Sequence, residues 1–421
     1  GASGTGNIAA FTADNTGTSP EVATITVTPT FTHDGQSCTG PQQTFTITVN
    51  PTAQVDDPTD QVLCNGDGTT AVNFTTNRSG GTTTYAWSND NTSIGLAASG
   101  TGNIAAFTAD NTGTSPEVAT ITVTPTYSSG GQSCTGPAET FTITVNPTAQ
   151  VDDPADQVVC EGSSTSVSFT TDRSGGATTY EWTNNNTGIG LAASGSGDIA
   201  AFTAVNGGTN PEVATITVTP TFTYDGQSCT GPQQTFTLTV NPEAQVADPA
   251  DQVLCNGDGT TAVNFSTNRT GGTTTFAWTN DNTSIGLPAS GSGDIASFTA
   301  DNTGTSPEVA TITVTPTFTN GGQSCTGPDQ TFTLTVNPTA QVNDPADQVL
   351  CNGDGTTAVN FTTTRSGGTT TYDWTNDNTS IGLAASGSGD IASFSAVNSG
   401  TSPEVATITV TPTFTNGGQS C

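Results

Sequence analysis

The 421-residue sequence has no lysine and no methionine, a single histidine, and only four basic residues, all arginine, against 36 acidic ones. A formal net charge of −32 excludes a nucleic-acid binder, because four dispersed Arg cannot form the patch that displaces counterions from phosphate. The same charge repels anionic lipid. No run approaches the 18 or so apolar residues of a membrane-spanning helix, and the first residues have neither the basic nor the apolar region of a signal peptide. With His33 alone available, and no His, Lys or Cys recurring beside the carboxylates, no acid–base system can be assembled. No catalytic or cofactor-binding residue is therefore assigned, and an enzyme is not expected. The missing Lys also excludes Lys–Asn isopeptide cross-links and removes the usual deterrent to association at sheet edges. Large aliphatic residues and Phe make up only about 17% of positions, and with a high net charge that scarcity is the composition of a disordered chain.

What is present argues the other way. There are nine Cys, only 10% of residues are charged, and Thr, a β-forming residue, takes about a fifth of positions. The cysteines reveal a period. Cys38, Cys134, Cys229, Cys325 and Cys421 are spaced by 96, 95, 96 and 96 residues, and Cys64, Cys160, Cys255 and Cys351 by 96, 95 and 96. Each unit is punctuated by Asn-Pro, at Asn50-Pro51, Asn146-Pro147, Asn241-Pro242 and Asn337-Pro338, where Pro ends one strand and stiffens the passage to the next unit. Boundaries at these pairs give repeats 51–146, 147–241, 242–337 and 338–421. Residues 1–50 read as the C-terminal part of a repeat, and 338–421 as a repeat lacking its last strand. The one-residue deletion in the second full repeat falls where Glu161-Gly-Ser-Ser replaces Asn65-Gly-Asp-Gly-Thr, a turn that can change length without disturbing a core.

Within a repeat the side-chain period is two. Ala23, Ile25, Val27, Pro29 and Phe31 alternate with Thr, as do Phe45, Ile47 and Val49, the pattern of half-buried antiparallel strands. Val72 and Phe74, Tyr85 and Trp87, and Ile104 to Phe107 mark further strands between turn residues. Of 27 aromatic residues, 26 occupy six recurring positions, those of Phe74, Tyr85, Trp87, Phe107, Tyr127 and Phe141; Tyr224 alone lies off the pattern. The scarce apolar residues are thus concentrated where a core needs them. The fold class expected is all-β, a tandem array of immunoglobulin-like antiparallel β-sandwiches of about 96 residues each.

The run Asp60-Gln-Val-Leu-Cys-Asn-Gly-Asp-Gly68, then Tyr85-Ala-Trp87, then Gly131-Gln-Ser-Cys134 resembles the PKD-like immunoglobulin-type repeats of very large secreted surface proteins in Bacteroidota. The resemblance covers the whole chain and implies an extracellular, cell-surface or secreted location. It is specific for architecture rather than activity, since that family spans adhesins, gliding-associated proteins and enzyme spacers. The chain departs from ordinary PKD domains in having Ser88-Asn-Asp-Asn91 in place of Asp-Phe-Gly-Asp-Gly after the Trp. It departs from antibody-type domains in carrying both Cys outside the central strands.

Four sets of residues are candidates for sites. A secreted β array favours disulfides, and pairing within a repeat is expected: Cys64 with Cys134, Cys160 with Cys229, Cys255 with Cys325, Cys351 with Cys421. One objection is geometric. A Cys ending the first strand and one preceding the last would lie about 20 Å apart at strand rise, too far to bond; the alternative is Cys64 with Cys229, across the junction. Next, Asp57, Asp153, Asp248 and Asp344, Asp60, Asp156, Asp251 and Asp347, and also Asp152, follow the junctions, while Glu21, Glu117, Glu212, Glu308 and Glu404 precede the penultimate strand. Converging across a junction, such carboxylates would hold Ca²⁺; otherwise they form a solvated acidic surface. Arg78, Arg173, Arg269 and Arg365 are expected to bridge a carboxylate of their own repeat. His33, aligned with Ser129, Tyr224, Asn320 and Asn416, is expected at a loop tip.

The function expected from these features is a structural stretch of an extracellular stalk or filament that gives reach and stiffness, with neighbouring repeats or further copies of the chain as partners. The alternatives are an adhesive module for glycans or surface proteins, which the lack of spare aromatics disfavours, and a spacer carrying an enzyme.

Overall fold

The computed structural model describes residues 2–421. One strand organises each repeat. In residues 51–146 it is Glu117–Ser129, thirteen residues of alternating Thr and apolar side chains. Its first half pairs antiparallel with Glu139–Asn146, Glu117 opposite Val145, and its second half with Thr82–Asn89, Ser128 opposite Thr82. Thr82–Asn89 pairs in turn with the short Ser99–Thr101. On the other side Gln61–Cys64 runs parallel to Glu139–Asn146, the one exception to the antiparallel expectation.

Pro125 sits in the middle of the long strand, where a missing N–H would break a ladder. Its neighbour is interrupted just there: Gln132–Thr135 pairs with the far end of the long strand as a hairpin, and the partner resumes only at Glu139. At the break the Gly136 N–H donates to the Pro125 carbonyl, 3.1 Å. A β-carbon at Gly136 would lie 1.9 Å from the Ala53 carbonyl oxygen, so glycine lets the linker after Asn50-Pro51 cross the gap.

A thinner layer closes the sandwich. Val72 bridges Ile104 and Gly68 bridges Thr108, single contacts where the alternation predicts strands. Side chains carry part of the pairing: Thr69 Oγ1 bonds both the N–H and the carbonyl of Phe107, and the Asn103 carboxamide oxygen takes the Phe74 N–H. In repeat 147–241, where the turn is one residue shorter, the same segments form true strands, Ser164–Val167 with Ile199–Thr203. Between the layers Val72, Phe74, Trp87, Ile104, Ile121, Val123, Phe141 and Ile143 form one buried cluster, each large side chain contributing about 1.5–3 kcal/mol. No cysteine lies in it. Trp87 packs instead on Gly100 of the adjacent strand, where a β-carbon would be 2.2 Å from Trp87 Cζ2.

The same six-stranded sheet recurs within residues 147–241 and 242–337. The chain is an all-β tandem array of immunoglobulin-like sandwiches. Residues 338–421 carry a four-stranded version, and residues 2–50 pair Glu21–Val27 with Gln43–Val49. In that first segment Phe45 is 46% exposed, whereas its counterpart Phe141 is 2% exposed inside a full repeat.

The repeat junction as the candidate functional site

The junction between 51–146 and 147–241 is built from four recurring parts. First, the Asn of the Asn-Pro pair reaches forward. Asn146 Nδ2 donates to the carbonyls of Tyr224 and Gln227, at 3.0 and 3.2 Å, in the turn of the hairpin that the following repeat extends backwards. Asn50, Asn241 and Asn337 do the same to Ser129, Asn320 and Asn416. These Asn are buried where their repeat is complete, and the hydrogen bonds satisfy the buried Nδ2 donor. The oxygen accepts from Asn320 and Asn416 at Asn241 and Asn337 but has no partner at Asn146.

Second, the arginine is a clamp. Arg173 Nε donates to the Thr148 carbonyl at 2.8 Å and Nη1 to the Gly113 carbonyl of the preceding repeat at 2.9 Å. Arg78, Arg269 and Arg365 likewise reach Gly17, Gly208 and Gly304. Among the described residues the expected carboxylate bridge within one repeat is present at Arg173, with Asp172 at 3.6 Å, and is corrected at Arg78, Arg269 and Arg365, which reach carbonyls instead. The fork of guanidinium donors suits two carbonyls that approach from different directions.

Third, the loop after the arginine locks onto the preceding repeat, the Ser174 N–H donating to the Thr114 carbonyl at 2.9 Å. Gly175 packs there so closely that a β-carbon would lie 3.0 Å from Pro116 Cδ.

Fourth, the junction is covalent. Cys64 bonds Cys229, Cys160 bonds Cys325 and Cys255 bonds Cys421, closing loops of 165, 165 and 166 residues. Pairing within a repeat is thereby overturned, for the reason of strand rise given above: Cys64 ends a strand at one end of its sandwich, while Cys134 lies in the hairpin at the other. Cys134 and Cys351 have free thiols, as does Cys38.

The carboxylates do not converge. Among the described residues no three His, Cys, Asp or Glu side chains gather where a metal ion could be held, and the acids expected to bind Ca²⁺ face other partners. Glu117, Glu212, Glu308 and Glu404 each accept from an Asn of their own repeat, Asn91, Asn186, Asn282 and Asn378, at 2.7 to 3.0 Å. Asp156 and Asp251 accept the Thr237 and Thr333 backbone N–H groups at 2.6 Å. Asp152 accepts from Thr170 and Gln150. Asp153, Asp344 and Asp347 are exposed, and Asp248 lines a shallow cavity of about 440 Å³ between its own linker and residues 261–266. This donor set does not fit a shared cation. Hydrogen bonds hold two of these carboxyls below the usual carboxylate range, Asp156 chiefly through the Thr237 N–H and Asp152 chiefly through the Thr170 hydroxyl.

His33 lies at an exposed hairpin tip beside Asp34. The Asn65-Gly-Asp67-Gly turn is a turn, with Asp67 accepting the Cys64 N–H, but Asn65 also donates to Thr148 Oγ1 across the junction.

No protein-family model matches the sequence, and no curated protein matches it. Among solved structures it is similar to mouse cadherin-23 EC22-24, at 13% identity over 68% of this chain and 99% of that one, TM-score 0.31. It is also similar to the human desmocollin-1 ectodomain, 10% over 93% and 82%, TM-score 0.27, and to Sidekick-1 immunoglobulin domains 1-5, 13% over 94% and 93%, TM-score 0.24. Identities and scores this low carry nothing about ligands, partners or the arrangement of repeats.

Proposed function

We propose that this chain is a load-bearing stretch of an extracellular stalk or filament, non-enzymatic, whose work is to hold adjoining segments at a distance. On this reading its repeats are of the PKD-like kind they resemble, and their working partners are the neighbouring repeats. The observation that carries it is the junction: the same Asn, Arg and loop contacts recur at each boundary, and three boundaries are closed by a disulfide. Domains joined by a bare linker move freely by default. Here hydrogen bonds and a covalent tie oppose both bending and twisting, as reach and stiffness require. Three disulfides also suit an oxidising, extracellular compartment. Electron microscopy of the isolated chain tests the reading. Straight rods, about 35–45 Å per repeat at strand rise, are expected; strings of beads bent at random angles would contradict it.

A further inference from the structure

The three bridges overlap, and their overlap decides where tension runs. From Cys64 a pull passes through the disulfide to Cys229, along the main chain to Cys255, and through the next disulfide to Cys421. Only 26 positions of main chain lie on that route. About half of them belong to the strands Gln227–Thr230, Gln234–Asn241 and Gln252–Cys255, which are already extended. Stretched fully, 26 residues span about 90 Å, against about 70–90 Å for the two repeats they cross at about 35–45 Å each. The route therefore has little slack. Residues 65–228 and 256–420, which hold most of the cores, lie in closed loops outside it.

We propose that the interlaced disulfides make the array between Cys64 and Cys421 a tension-locked rod, one that cannot gain length by unfolding the repeats it spans, and that reduction unlocks it. Each bridge opens by taking two electrons and two protons from a dithiol, which closes to its own disulfide while two cysteine thiols are released. Unlocking frees the closed loops as reserve length. The inference deepens the stalk reading, which gives the lock its use, but its physics follows from connectivity alone.

The test is to pull the full chain between its two ends in an optical trap. With the bridges intact, the load path is residues 1–63 plus the 26-residue route, a contour of about 320 Å. After dithiothreitol it should reach about 1,500 Å, roughly fivefold more, in steps. Paired variants separate this connectivity from general stabilisation by disulfides. C64S/C229S forces the load through Cys160–Cys325 and back along the chain, raising the oxidised contour to about 800 Å, whereas C160S/C325S should leave it near 320 Å. Extension of the oxidised chain well past 320 Å, or equal contours for the two variants, would overturn the lock. Bent, beaded chains in the microscope together with a 320 Å contour would remove the stalk reading and leave the lock standing.

Discussion

Asn146 gives its side-chain amide to the carbonyl of Tyr224, 78 residues later and in the next repeat. A residue that the sequence marks only as the end of a strand is thus the peg that seats a neighbour's hairpin. Arg173, on the far side of the same junction, holds the Thr148 and Gly113 carbonyls.

Replacing Arg173 with Ala removes two charge-assisted hydrogen bonds and strands two carbonyls. The expected loss is about 1.5–3 kcal/mol per well-made bond to a charged group as an upper range, with Arg173→Lys recovering only part of it because an ammonium lacks the fork. Calorimetry of the oxidised chain should show a lower melting temperature for both, with Ala below Lys.

Gly195 is expected to tolerate nothing larger. A β-carbon there would lie 2.3 Å from Trp182 Cζ2, and the indole is enclosed by the core. Gly195→Ala should cost at least the 1–3 kcal/mol typical of overpacking, read as a lowered melting temperature and a weakened near-ultraviolet tryptophan signal. Gly207, with open space around its α-carbon, provides the control, since Gly207→Ala should be close to neutral.

Acid should act through Asp156. Its carboxyl is held below the unfolded value by the Thr237 N–H, so the stability it contributes is complete above the unfolded pKa of about 3.9. That contribution is lost as the pH falls through the lower, folded value. Asp156→Asn should therefore be less stable than the parent at pH 7, with the gap closing as the pH approaches 2. Urea melts at the two pH values check this; an unchanged gap would contradict it.

The core was legible because its signals are local. Alternation, read on Ile25, Val27 and Ile47, holds for their counterparts Ile121, Val123 and Ile143, which face inward, and the aromatic census placed Trp87 and Phe141 in the buried cluster. The thin second layer was less so, because Thr69 takes the Phe107 N–H with its side chain, a bond that has no periodic trace. The junction was largely hidden, since its contacts join residues far apart in sequence through backbone carbonyls, which look alike at every position. A signal for Arg173 did exist: each Arg follows a Gly-Thr loop of the preceding repeat at a near-constant 60 or 61 residues. The carboxylates misled because the recurrence of Glu117, Glu212, Glu308 and Glu404 and of Asp156 and Asp251 marks bonds made within one repeat, while Asp153, Asp344 and Asp347 are exposed; none converge across a boundary.

The most direct test of the junction-spanning bridges uses the scarcity of basic residues. With no Lys, trypsin can cut only after Arg78, Arg173, Arg269 and Arg365, giving five fragments. After free thiols are blocked and the chain is denatured without reduction, Cys64–Cys229, Cys160–Cys325 and Cys255–Cys421 predict two species by mass spectrometry. The first, third and fifth fragments should be joined in one, and the second and fourth in the other. Bridges within repeats would instead join all five fragments in a single species, and that result would contradict the account.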